Sequence, residues 1–83
     1  MLIENRTNFT SEVIPATAAR EVFVAVDTLD ASATVEIHLK RPDGVFRTYP
    51  SMIVKANELA LLVIPPSEWK VVIKGTNVTV ELL

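Results

Sequence analysis

Twenty-six of the 83 residues are Val, Ile or Thr, and nowhere do the apolar positions recur at helical spacing. β-Branched side chains are stiff at χ1 and pack well on a pleated surface, so short runs of them alternating with polar residues constrain the chain to strands. Arg20 to Val26 puts Val22, Val24 and Val26 on one side. Ala33 to Lys40 sets Val35, Ile37 and Leu39 against Thr34, Glu36, His38 and Lys40, the pattern of a strand with one face in water. Trp69, Val71 and Ile73 alternate with Lys70, Val72 and Lys74; after Gly75-Thr76-Asn77 the alternation resumes at Val78, Val80 and Leu82, which predicts a closing hairpin. Further strands are expected near 9–14, 45–49, 52–55 and 58–64, giving seven or eight in all. Between them lie Asp27 to Ser32, Pro42-Asp43-Gly44, Pro50-Ser51 and Pro65-Pro66-Ser67, whose residues end pairing or supply turn geometry.

A chain of this length supports one core and buries about 60% of the surface its unfolded form exposes. The expected fold is all-β: a small antiparallel sandwich of immunoglobulin or fibronectin III-like kind, with a jelly roll or small barrel as the alternative, because strand count does not define connectivity. The chain has no cysteine, which excludes the disulfide-bonded immunoglobulin version, thiol chemistry and a conventional zinc finger. Residues 1–8 read as a polar, mobile arm with Leu2 and Ile3 near its tip, and 9–83 as the sandwich domain. Met1-Leu2-Ile3-Glu4-Asn5-Arg6 turns polar at once, so no secretory leader is expected and the mature chain is expected to begin at Met1. The longest apolar run, Leu59 to Ile64, is far short of the roughly 20 residues that span a bilayer, and no membrane partner is expected. Without a leader, the Asn-x-Thr triplets at Asn5, Asn8 and Asn77 read as chance in a Thr-rich chain.

A net charge of −2, with eight scattered basic residues, does not supply the clustered cations that phosphate-driven nucleic-acid binding needs. The single histidine, His38, lies mid-strand between Glu36 and Lys40, and no Ser or Asp is placed to complete a nucleophile, base and orienter set; no catalysis is expected. Asp27 and Asp30 share one loop but lack the ligand spacing of an EF-hand, and turn formation accounts for them. With only Gly44 and Gly75 there is no phosphate-cradling loop, so neither cofactor nor metal is expected. Trp69 is in phase with Val71 and Ile73 and belongs to the core. For a sugar ligand this leaves Tyr49 and Phe46, near the Pro42-Asp43-Gly44 turn, as the alternative surface.

The anomaly is an excess of apolar residues. With Val22, Val24 and Val26 facing in, Phe23 and Ala25 face out; with Leu59, Leu61 and Val63 facing in, Ala60, Leu62 and Ile64 face out. If the two strands are neighbours, the outward residues form one patch of a size that monomers rarely expose. Either this patch, together with Leu2, Ile3 and Phe9, is a subunit or partner interface, or the N-terminal segment, a bulge or barrel closure covers it.

Taken together, the short polar start, the Cys-free sandwich and the closing run Pro65-Pro66-Ser67-Glu68-Trp69-Lys70-Val71-Val72-Ile73-Lys74-Gly75 resemble the small β-sandwich accessory proteins of tailed-phage particles, of capsid-decoration or head-fibre type. The resemblance covers the layout of residues 1–83 and contains no diagnostic motif, so no functional residue is transferred. It implies a non-enzymatic virion structural protein, made in the host cytoplasm, that docks on capsid or other virion proteins as a homo-oligomer, a trimer in the first instance. A carbohydrate-binding or adhesion module is the alternative.

Overall fold

The computed structural model describes all 83 residues, Met1 to Leu83. Nine strands form: β1 (Leu2–Arg6), β2 (Phe9–Thr10), β3 (Arg20–Asp27), β4 (Thr34–Lys40), β5 (Phe46–Arg47), β6 (Ile53–Lys55), β7 (Leu59–Ile64), β8 (Trp69–Lys74) and β9 (Val78–Leu82). The first sheet runs β1-β9-β3-β7 and the second β2-β8-β4-β5, with β6 also on β4. Every pairing is antiparallel.

The pairings are nested. β1 meets β9, β2 meets β8, β3 meets β7, and β4 meets β5 and β6, as in one long ribbon doubled back on itself. The ribbon is then rolled so that β9 lies beside β3 and β8 beside β4. β5 and β6 lie along the same edge of β4, interrupted only by the 3-10 turn Pro50–Met52, so they fill one strand position. The expected sandwich is what forms, and its strand order is that of the jelly roll; an immunoglobulin order would put the first two strands side by side, whereas here β1 and β2 lie in different sheets.

Two sequence expectations change with that order. Trp69 to Leu82 is not a hairpin, because β8 pairs with β2 and β4 while β9 pairs with β1 and β3. The segment Gly75-Thr76-Asn77 instead arches from one sheet to the other, so that Val71 and Ile73 of one sheet and Val78 and Val80 of the other join the same core. Gly75, at φ +141°, sits where a Cβ would come within 2.5 Å of Ala33 Cβ. Nor is the N-terminal segment a free arm. Ile3 alternates with Leu2 and Glu4 and reaches the core, and Met1 and Leu82 exchange two backbone hydrogen bonds of 2.7 and 2.8 Å. A register shift between Ile3 and Arg6 places Asn5 at φ +48°, and Asn8, at φ +46°, turns the chain into the second sheet with its Oδ1 accepting from Gly75 N. All four asparagines, Asn5, Asn8, Asn57 and Asn77, adopt positive φ, a conformation that Asn tolerates better than other non-glycine residues. Turn geometry therefore accounts for the asparagine of each Asn-x-Thr triplet.

The core is where the two inner faces meet. Val22, Val24, Val26, Leu62, Ile64, Val78, Val80, Leu82 and Ile3 come from the first sheet; Val35, Ile37, Leu39, Val54, Trp69, Val71 and Ile73 come from the second, with Ala33 at the end. Each fully buried Val or Ile is worth about 1.5–3 kcal/mol over leaving it exposed. Trp69 is core as expected, and its Nε1 is the one buried side-chain polar atom without a partner.

Candidate functional site

β3 and β7 are neighbours as anticipated, and their register decides what the outer face of the first sheet presents. Val22 pairs with Leu62 and Val24 with Ala60, so the even-numbered residues of β7 share the buried face of β3. The expected phase of β7 is thereby reversed: Leu62 and Ile64 are buried and Ala60 packs against the core, while Leu59, Leu61 and Val63 point outward. Phe23 lies opposite Leu61, Glu21 opposite Val63 and Ala25 opposite Leu59. On its other side Phe23 exchanges both backbone hydrogen bonds with Leu83.

Phe23, Leu59, Leu61, Val63 and Leu83 are 46–67% exposed. Together they offer roughly 500 Å² of apolar surface, in the range of the largest patch on a typical monomer. Leu2, opposite Glu81 on β9, adds an apolar outpost at the far edge. Glu21, Asp27 and Glu81 border the patch, and none of them takes part in an ion pair. This face can bind an apolar surface with a basic rim.

Of the residues expected to line an interface, the structure brings Phe23 and the half-buried Ala25 to this face and leaves Leu2 near it. Ile3 is in the core, Phe9 packs against it, and Ala60, Leu62 and Ile64 face inward. Leu59, Leu61, Val63 and Leu83 were missed. β7 is apolar at every position, so alternation carries no phase there; only the pairing with β3 sets it, and the intervening residues 28–58 hide that pairing from the sequence.

Part of the alternative sugar surface is engaged by other side chains. The Lys70 ammonium lies 4.5 Å above the centre of the Phe46 ring, occupying a face on which a sugar would stack. Asp43 is gripped by Arg47 through bonds of 3.0 and 2.7 Å and also accepts from Val45 N. Tyr49 is partly exposed, and neither aromatic lines a concavity.

One wide, open cleft of about 920 Å³ lies at the end of the sandwich, among Asp27, Asp30, Asn57, Thr76 and Asn77. Both Asp30 oxygens are engaged: Oδ1 accepts from Ser32 Oγ and N within the turn, and Oδ2 from Thr76 N in the neighbouring arch. The Ser32 hydroxyl foremost, then the Thr76 and Ser32 amides, lower the Asp30 carboxyl below its ordinary range. The turn reading of this loop thus has a geometric basis, and no group of three potential metal-ligating side chains converges anywhere in the chain.

On the second sheet, His38 forms part of a small ion cluster rather than standing alone. His38 Nε2 is 2.8 Å from Glu36 Oε1, and Lys74 Nζ is 3.1 Å from Glu36 Oε2. Burial raises the Glu36 carboxyl, but the hydrogen bonds from His38 and Lys74 and their electrostatic attraction together outweigh it and leave the group below its ordinary value. The cluster lies on an open sheet face with no concavity beside it. No protein-family model, curated protein or solved structure matches the chain.

Proposed function

We propose that the protein is a non-catalytic structural subunit that joins a larger protein assembly through the outer face of its first sheet. The observation that carries this reading is the apolar field of Phe23, Leu59, Leu61, Val63 and Leu83 bordered by unpaired acids. The largest apolar patch on a monomer is often functional, and this one is rimmed by polar residues as docking faces are. The assembly we favour is a tailed-phage particle, with the chain seated on the capsid or at a fibre base. Fold-level analogy points the same way, since jelly rolls serve as virion domains, although they serve as lectins too. Many copies on one lattice need only modest affinity each. Co-sedimentation with purified tailed-phage capsids tests the proposal. The native chain is expected in the pellet and Leu59→Lys in the supernatant; a native chain left in the supernatant, or equal binding by the variant, overturns it.

A carbohydrate-binding module is the second reading, and the end cleft favours it, because the side chains of Asp27 and Asn77 line it without using their polar groups in internal hydrogen bonds. Binding on a glycan array that Asp27→Ala abolishes and Tyr49→Ala leaves intact would support this reading at the cleft.

A further inference from the structure

An edge strand offers a row of unpaired N–H and C=O groups to any other chain, and stable monomers blunt such edges. Three of the four edges here are blunted. β1 carries Glu4 and Arg6 and is broken by its register shift. β2 is two residues long and is soon followed by Pro15. The edge shared by β5 and β6 consists of segments of two and three residues separated by the Pro50–Met52 turn. β7 has none of these devices. Leu59–Ile64 is six apolar residues in unbroken register with β3, without charge, proline or bulge.

The hydrogen-bonding phase of β7 follows from β3. Phe23 exchanges both backbone bonds with Leu83, and Val26 N donates to Glu58 O. Bonding direction alternates along an antiparallel ladder, so even-numbered residues of β3 bond to β7, and Ala60, Leu62 and Ile64 answer them. Leu59, Leu61 and Val63 therefore aim their N–H and C=O groups away from the protein. The same three residues carry the exposed side chains.

We propose that β7 pairs with β7 of a second copy, antiparallel about a two-fold axis at Leu61, joining two four-stranded sheets into one continuous sheet. In this register Leu61 faces Leu61 and Leu59 faces Val63, so each of the three exchanges both of its free backbone bonds with the other copy. Charge favours this occupant. Leu59 to Pro66 carries no charge to repel a copy of itself. The register also lays Glu58 of one copy beside Ile64 of the other, one strand away from Arg20, so acid approaches base at each end of the joint. Stacking two copies face to face would instead bring two rims of Glu21, Asp27 and Glu81 together. The joint leaves the outer face open and doubles its roughly 500 Å² to roughly 1,000 Å², more than the about 800 Å² per side of a standard interface. The inference rests on the assembly reading for the use of that doubled face.

Size-exclusion chromatography with light scattering across a concentration series tests the joint. The native chain is expected at about 18 kDa, twice its 9.2 kDa. Leu61→Pro removes only an outward N–H, which an edge strand tolerates, and is expected to be folded and monomeric. Amide exchange provides an independent measurement. In the native chain Leu61 and Val63 are expected to be protected like Leu62 and Ile64, and in Leu61→Pro the amide of Val63 should exchange like a loop amide. A native monomer whose Leu61 and Val63 amides exchange like loop amides overturns the joint, as does a dimer that survives in folded Leu61→Pro. Capsid binding is scored separately: a native dimer that does not sediment removes the assembly reading alone, and a native monomer that sediments removes the joint alone.

Discussion

Both sheets follow the same period-two rule and contribute equally apolar inner faces, yet their outer faces differ in kind. The outer face of the second sheet carries every lysine of the chain, Lys40, Lys55, Lys70 and Lys74, on strands that also present Glu36 and His38. Its charges are mostly occupied: Lys74 and His38 on Glu36, Lys40 on Glu68, Lys70 over Phe46. The outer face of the first sheet sets Phe23, Leu59, Leu61, Val63 and Leu83 among acids that have no partner. Alternation alone says which residues leave the core. Whether the residues that leave it are satisfied by one another separates a solvated face from one that calls for a partner.

The largest expected effect tests this division within two adjacent residues. Leu62→Lys forces an ammonium into the core at a position 6% exposed, and is expected to cost more than about 4 kcal/mol, enough to unfold a domain of this size. Leu61→Lys, one residue earlier and on the other face, is expected to leave the thermal unfolding midpoint of the monomer nearly unchanged while abolishing self-association. Circular dichroism melts of the two variants decide it. Equal damage from both would mean that the β3–β7 register is not the one described.

That pair also marks how far the sequence could be read. Strand positions from Arg20 to Leu82 were legible because Val22, Val24 and Val26, Val35, Ile37 and Leu39, and Trp69, Val71 and Ile73 each alternate with polar or exposed neighbours. The all-apolar β7 has no such contrast, so its inward and outward residues were exchanged, and the excess apolar face was anticipated with the right partner strand and the wrong residues on β7. β1 escaped notice because only Ile3 marks its inward side; its pairing with the last strand is the most non-local in the fold. Gly75-Thr76-Asn77 reads equally well as a hairpin turn or an arch between sheets, since both demand positive φ, and tertiary packing against Ala33 chooses the arch.

A smaller effect is expected where each face is perturbed at one side chain. Glu36 is 7% exposed and accepts from both His38 and Lys74, so Glu36→Ala is expected to cost about 1–3 kcal/mol by urea denaturation at concentrations where the chain is monomeric. Val63→Ser on the opposite face is expected to change monomer stability by under about 0.5 kcal/mol, because its side chain is already in water. The Glu36 contribution has a sign in pH as well. Its folded value lies below the ordinary 4.5, so the stabilisation is present above that value and is lost as pH falls through the folded one. An Ala variant as stable as the native chain would show that the cluster is only a solvated surface.

The smallest expected effect concerns the fold-back of the ribbon between β4 and β5. Arg47 grips Asp43 there with two hydrogen bonds, Val45 N adds a third, and the carboxyl is lowered from 3.8 to about 2, the Arg47 bonds contributing first. Since the folded value is the lower one, whatever the pair contributes is complete above pH 3.8 and disappears as pH falls toward 2. Both side chains are solvent-exposed, so the effect belongs in a carboxyl chemical-shift titration rather than in a melt. The native midpoint is expected near 2. Arg47→Ala is expected to move it most of the way to 3.8 and leave it somewhat below, because Val45 N still donates. A native midpoint at 3.8 would mean that the pair is open in solution and that the turn is held by its backbone alone, through the Arg41–Val45 and Gly44–Arg41 hydrogen bonds and the positive φ of Gly44. In that case the charges of the second sheet's edge would be as unpaired as those of the first, and pairing would no longer distinguish the two faces at their rims.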